Sequence, residues 1–158
     1  MSTNNDPILL KLSELGIELT LHPTPVGSYV TSLINGNLLF ISGQLPIRAG
    51  QLIATGRLGE EVPDDLGIEC ARQCAINALS IANQLLAGNL NRIKRVVQLR
   101  GYVASSDEYY AHPKILNGAS DLFVLIWGDA GKHVRAVTGV NVLPLNAPIE
   151  IEFIFGLE

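Results

Sequence analysis

The stretch "SYVTSLINGNLLFISGQLP", residues 28–46, holds two β-rich runs that meet at Asn35-Gly36. Asn and Gly tolerate positive φ, and between two such runs the pair is the strongest short-range hairpin signal a sequence carries. Strands over 28–36 and 37–46 are therefore expected to pair antiparallel.

Beyond the hairpin, "IRAGQLIATGRLG", residues 47–59, contains Gly50, Gly56 and Gly59 and reads as a surface excursion with a short strand at 51–55. Residues 66–87 place Ile68, Ala71, Ala75, Ala78, Leu79, Ala82, Leu85 and Leu86 at helical spacing, with Asp64 or Asp65 as the N-cap and Gly88 as the stop. "RIKRVVQLRGYVAS", 92–105, is a third strand, and 107–128 a second long helix that starts near Asp107 or after Pro113 and ends at Gly128. Strands over 133–142 and 148–155 follow, separated by the turn "LPLNAP". Ahead of the hairpin, Ile8, Leu9, Leu12 and Leu15 predict a short amphipathic helix over 6–16, stopped by Gly16. Strands in pairs with helices as crossovers make an α+β fold, a single domain over 1–158 with a mixed sheet and both long helices on one face. The other face stays apolar, which suits closure against neighbouring subunits.

Composition points the same way. A hydrophobic share of 47% against 16% charged residues is rich for a soluble monomer, so part of the apolar surface is expected to be covered by other copies. A net charge of −4 argues against a nucleic-acid partner. The one basic cluster, "RIKRVVQLR" at 92–100, alternates with apolar residues and reads as the wet side of a strand. "MSTNNDPILLKLSELG" lacks a basic, then apolar, leader, and no apolar run is long enough to span a bilayer. The expected location is the cytoplasm, with no membrane partner.

Within the last strand Glu150 and Glu152 are i and i+2, so they share one face while Ile149, Ile151 and Phe153 share the other. Such alternation ordinarily marks a solvated face. Arg135 carries the planar fork suited to a carboxylate, or else makes an ion pair with Glu150 or Glu152. Tyr29 and Ser42 read as a strand aromatic and a turn residue. In "NGASD", Asn117, Ser120 and Asp121 either face a ligand at a helix start or cap that helix. His133 lies two residues before Arg135 on the same strand face, whereas His22 and His112 precede prolines and read as loop residues. Cys70 and Cys74 read as small buried thiols on one helix face. No zinc-ligand spacing exists among these residues.

"GSYVTSLINGNLLFISGQLP" near the start and "VRAVTGVNVLPLNAPIEIEFI" at the end resemble the two signature regions of the RidA (YjgF) family, the reactive intermediate deaminases also known as L-PSP endoribonucleases. The resemblance spans residues 25–155. "GRLG", "ECARQCAINALSIANQL" and "HPKILNGASDLFVLIWGDAGKHVR" are similar to a divergent branch of that family. It implies a chorismate-mutase-like fold of the bacillus type and a homotrimer closed as a trimeric barrel, with clefts between subunits. It further implies a metal-free, cofactor-free imine hydrolase. In it Arg135 would grip the carboxylate of a 2-imino acid and Glu150 would position the water that releases a 2-keto acid and ammonia. Tyr29 and Ser42 match the family's other pocket positions, and Val137 stands where better-known members carry a cysteine. Two other readings stay open. One is a trimer that binds a small carboxylate without turnover; the other is a ribonuclease, which an acidic chain without aromatic stacking platforms fits poorly.

Overall fold

The computed structural model describes residues 6–21, 25 and 27–158, so His22 lies outside the described residues. Helix α1, Pro7–Glu14, begins where Asp6 can cap it: its Oδ1 accepts from the Ile8 and Leu9 N–H groups at 2.8 and 3.3 Å. The other oxygen, Oδ2, accepts from Asn91 N–H at 2.8 Å, which ties this helix to a distant turn. The hairpin is present as β1, Ser32–Asn35, and β2, Leu38–Gln44. β1 is shorter than expected, because residues 28–31 leave the ladder as a bend. The turn also sits one residue later than Asn35-Gly36, with Asn35 paired to Leu38. Gly36, at φ 62°, is its one residue with positive φ, the pattern of a two-residue turn with Gly first.

In the excursion, β3, Ile47–Arg48, pairs with β4, Gln51–Leu52, as a separate two-stranded ladder. Helix α2, Asp64–Leu85, has Pro63 at its N-cap position with no side-chain cap, and both aspartates fall in its first turn. Asp64 is otherwise engaged: it accepts from the Tyr109 hydroxyl at 2.7 Å and pairs with Lys114 at 3.0 Å. Strand β5, Ile93–Ala104, leads to α3, His112–Trp127, so His112 is the first residue of a helix and not a loop residue. β6, Val134–Val140, and β7, Ile149–Leu157, complete the sheet.

The five-stranded sheet has the order β1-β2-β7-β5-β6, with β5 and β6 parallel and every other pair antiparallel. It is an open sheet within one chain, not a closed barrel. Helices α2 and α3 pack on each other and against the sheet. Between the layers lie Cys70, Cys74 and Leu79 of α2, Ile115, Leu116 and Phe123 of α3, and Leu39, Leu99, Ile151, Phe153 and Phe155 of the sheet, all with 1% exposure or less. Both cysteines are free, and burial pushes the Cys70 thiol up to about 12. No described helix is long and apolar enough to cross a membrane.

The two helices meet at Gly118, where an added methyl carbon would sit 2.0 Å from the Ile68 carbonyl oxygen. Alanine there gains about 1 kcal/mol in helix propensity. It must also wedge α3 off the α2 backbone, and overpacking of this kind costs about 1–3 kcal/mol or more. Gly118→Ala is therefore expected to lose up to about 2 kcal/mol net in chemical denaturation. Parent-like stability would show that the helices separate without cost.

Candidate active site

Glu150 and Glu152 project from the sheet face opposite the helices. Their neighbours Ile149, Ile151 and Phe153 are buried on the helix side, as the period-two pattern predicts. Glu152 pairs with Arg100 across the strands at 3.1 Å. Glu150 faces no cation in the described chain. Partial burial, and then the charge of Glu152, push its carboxyl above the usual 4.5.

Next to Glu150 the β2–β7 ladder breaks register: Ile41 pairs with Phe153 and Gln44 with Ile151, so Ser42 and Gly43 together oppose Glu152. Bulges of this kind re-aim backbone and side chains, and they recur beside active sites. Gln44 braces the bulge, its Nε2 donating to the Ser42 and Gly43 carbonyls at 3.0 and 3.3 Å. A methyl carbon on Gly43 would lie 2.2 Å from Glu150 Oε1, so the carboxylate occupies the space a side chain would take. Tyr29, Ser42 and Gly43 line one cleft of about 530 Å³. Glu150 stands against it through Gly43.

Arg135 is elsewhere. It lies in register with Leu99, and Leu99 with Phe153, so its side chain is on the helix-bearing face of edge strand β6. Its Nη1 donates to Asn117 Oδ1 at 2.8 Å and to Ser120 Oγ at 3.0 Å, and its Nη2 to the Pro113 carbonyl at 3.3 Å. The ion pair with Glu150 or Glu152 allowed by the sequence does not form. A guanidinium has five N–H donors, so the three bonds to α3 leave Nε–H and one Nη2–H without a partner in the described chain.

Residues 10–156 match the family described as "YjgF/chorismate mutase-like, putative endoribonuclease". The chain belongs to this family. It is similar to Protein TCP17 of Trypanosoma cruzi, 36% identical over 151 residues that cover 95% of this chain and 94% of that one. A crystal structure of an Agrobacterium tumefaciens protein of unknown function superimposes with a TM-score of 0.90 at 38% identity, covering 98% of this chain and 95% of the other. At the level of fold alone, E. coli TdcF with bound serine gives 0.62 at 19% identity, covering 90% and 98%.

Against this YjgF-type background several polar residues find places that local sequence did not assign. Asn117 and Ser120 are interior to α3, so neither starts nor caps a helix; both bind Arg135. Asp121 is likewise interior and has no part in that contact. Val137 is partly buried against the core beside Gly101. His112 lies over Gly139 and shares a 2.9 Å hydrogen bond with Ser105 Oγ. His133 is hydrogen-bonded at both nitrogens, to the Gly131 carbonyl at 2.7 Å and to Ser120 Oγ at 2.9 Å. Gly43 and Gln44 carry no local signal of the bulge, although both belong to the same "SGQ" as Ser42.

Burial, and the charge of Arg135, hold His133 below its ordinary 6.5 despite the Gly131 contact. The folded state thus disfavours the proton that the unfolded chain accepts. Stability from this site is complete above pH 6.5 and is lost as pH falls through the lower folded value. His133→Gln should flatten that part of the acid limb in thermal denaturation measured over a pH series. An unchanged difference between pH 7 and 5 would place the effect elsewhere.

Proposed function

We propose that this chain is a cytoplasmic, metal-free imine deaminase that hydrolyses 2-imino acids in a cleft completed by two copies of the chain within a homotrimer. The observation that carries the reading is Arg135: an exposed guanidinium with three donors tied down by α3 and two N–H groups left over for a carboxylate. Glu150 supplies the second requirement, a partly desolvated carboxylate with no cation beside it. The two lie on opposite sheet faces with β5 between their strands, so they can act on one ligand only if different copies contribute them. The exposed apolar side chains on both edge strands, Leu33 and Ile34 of β1 and Val134 of β6, accord with such an assembly. That a fold neighbour binds serine, an amino acid with a free carboxylate, accords with a small carboxylate ligand.

In this mechanism Arg135 of one copy holds the carboxylate, and the imine carbon faces Glu150 of the next. Glu150 takes a proton from water as the water oxygen bonds to that carbon and the C=N π pair moves to nitrogen, and it passes that proton to nitrogen to give the carbinolamine. The carboxylate then takes the carbinolamine hydroxyl proton and delivers it to nitrogen as the C–N bond breaks and the C=O bond forms. The products are a 2-keto acid and ammonia. The imine carbon is already electrophilic, so positioning and one tuned carboxylate suffice. Tyr29 and Ser42 line the cleft that receives the substrate side chain.

Ammonia release from a freshly generated 2-imino acid, compared with release in buffer alone, tests this reading. Gly43→Ala gives a focused check. The Gly43 backbone is not in the positive-φ region, so alanine is tolerated, but its methyl displaces the Glu150 carboxylate. Displacement on the scale of an ångström should slow release about 10²-fold with an unchanged melting temperature. Equal rates would remove Glu150 from the chemistry.

The packed Val137 favours a second reading, a trimer of the same geometry that binds a carboxylate without turnover. Binding of a 2-keto acid with no acceleration of ammonia release would establish it. The endoribonuclease in the family description fits an acidic chain less well, and an RNA-cleavage assay with Arg135→Ala as control decides that point.

A further inference from the structure

We propose that His133 is a positioning residue for Arg135, acting through the Ser120 hydroxyl to keep the guanidinium aimed at an incoming carboxylate. The inference rests on the functional reading above for the identity of the ligand, but its first step is visible without one. The carbonyl of Gly131 can only accept a hydrogen bond, so the nitrogen 2.7 Å from it, Nδ1, carries a proton. In the neutral ring Nε2 is then an acceptor, and the group 2.9 Å away, the Ser120 hydroxyl, must donate to it. With its proton committed, Ser120 Oγ presents lone pairs to its other neighbour, Arg135 Nη1 at 3.0 Å. The polarity of the chain is therefore set from one end: Gly131 carbonyl fixes the tautomer, the tautomer fixes the hydroxyl, and the hydroxyl fixes the arginine.

Phe123 of α3 holds the imidazole edge-on, with ring centroids 6.2 Å apart, so the ring has little freedom to turn away. Asn117 acts in parallel on the same Nη1 at 2.8 Å, so losing the Ser120 contact should loosen Arg135 without releasing it. Nothing local in the sequence links these groups. His133 and Ser120 are brought together because the turn after α3 returns the chain along the helix into β6.

The test compares the parent with His133→Phe, which keeps a ring but removes the acceptor, His133→Gln, which restores one, and Ser120→Ala. In ligand-free protein, nitrogen NMR should show His133 protonated at Nδ1 with Nε2 accepting. The guanidinium of Arg135 should rotate faster in His133→Phe and Ser120→Ala than in the parent and His133→Gln. Pyruvate is the binding probe. Its dissociation constant should rise about 3- to 10-fold in His133→Phe, the loss of one ordinary hydrogen bond, and stay near the parent value in His133→Gln. In an Arg135→Lys background His133→Phe should cost nothing further. If guanidinium motion in His133→Phe equals that of the parent, or if the affinity loss is the same with Lys at 135, the positioning role is wrong. If guanidinium motion changes as expected but Arg135→Ala binds pyruvate as the parent does, His133 still orders Arg135 and it is the carboxylate-binding reading that fails.

Discussion

Arg135→Ala is expected to weaken binding of a 2-keto acid by roughly 2–5 kcal/mol, the range for truncating one member of a desolvated, hydrogen-bonded charge pair. The upper part of that range applies if a second copy closes the cleft and excludes water from the fork. Stability should change little, because the contacts of Arg135 with Asn117, Ser120 and Pro113 lie at the protein surface. Arg135→Lys should bind nearly as poorly: an ammonium carries the charge but not the two parallel donors. Calorimetric titration with pyruvate, set beside a denaturation curve for each variant, checks both statements. Parent-like affinity in Arg135→Ala would leave its three bonds as an ordinary fastening of β6 to α3.

Glu150→Gln should lower the rate of ammonia release by about 10²–10⁴-fold, the usual contribution of a positioned general base. Binding of a 2-keto acid should survive, since the amide keeps the shape of the side chain beside Gly43. Stability gives an independent sign. The fold raises the Glu150 pKa above 4.5, so ionisation opposes folding, and stability from this site declines as pH rises from 4.5 through the higher folded value. At neutral pH Glu150→Gln should therefore unfold no more easily than the parent. Loss of activity in a protein of equal or greater stability would separate a chemical role from a structural one, and the parent rate should climb with pH across the same raised range. A variant with full turnover would assign Glu150 to the solvated face that its alternation with Ile149 and Ile151 suggests.

Local pattern carried much of this protein. The hairpin, the two long helices and the final strand were legible because turn residues and apolar periods of 2 and 3.6 act over a few residues, and they place Glu150 and Glu152 on one face and the isoleucines on the other. The family signature likewise lies in short runs. What no short run contains is the relation between strands. "VRAVTGV" is apolar or small on both faces but for Arg135, so its pattern does not say which side meets the helices. The register of β6 on β5 decides it, and a slip by one residue would turn Arg135 to the face of Glu150. The bulge at Ser42 and Gly43 arises in the same way, from the pairing of β2 with a strand more than a hundred residues distant in the chain. The partners of Arg135 depend on how α3 lies along the edge strand. The family resemblance named the arginine and the glutamate; the register of the sheet, set by burial of one whole face, put them on opposite sides of it.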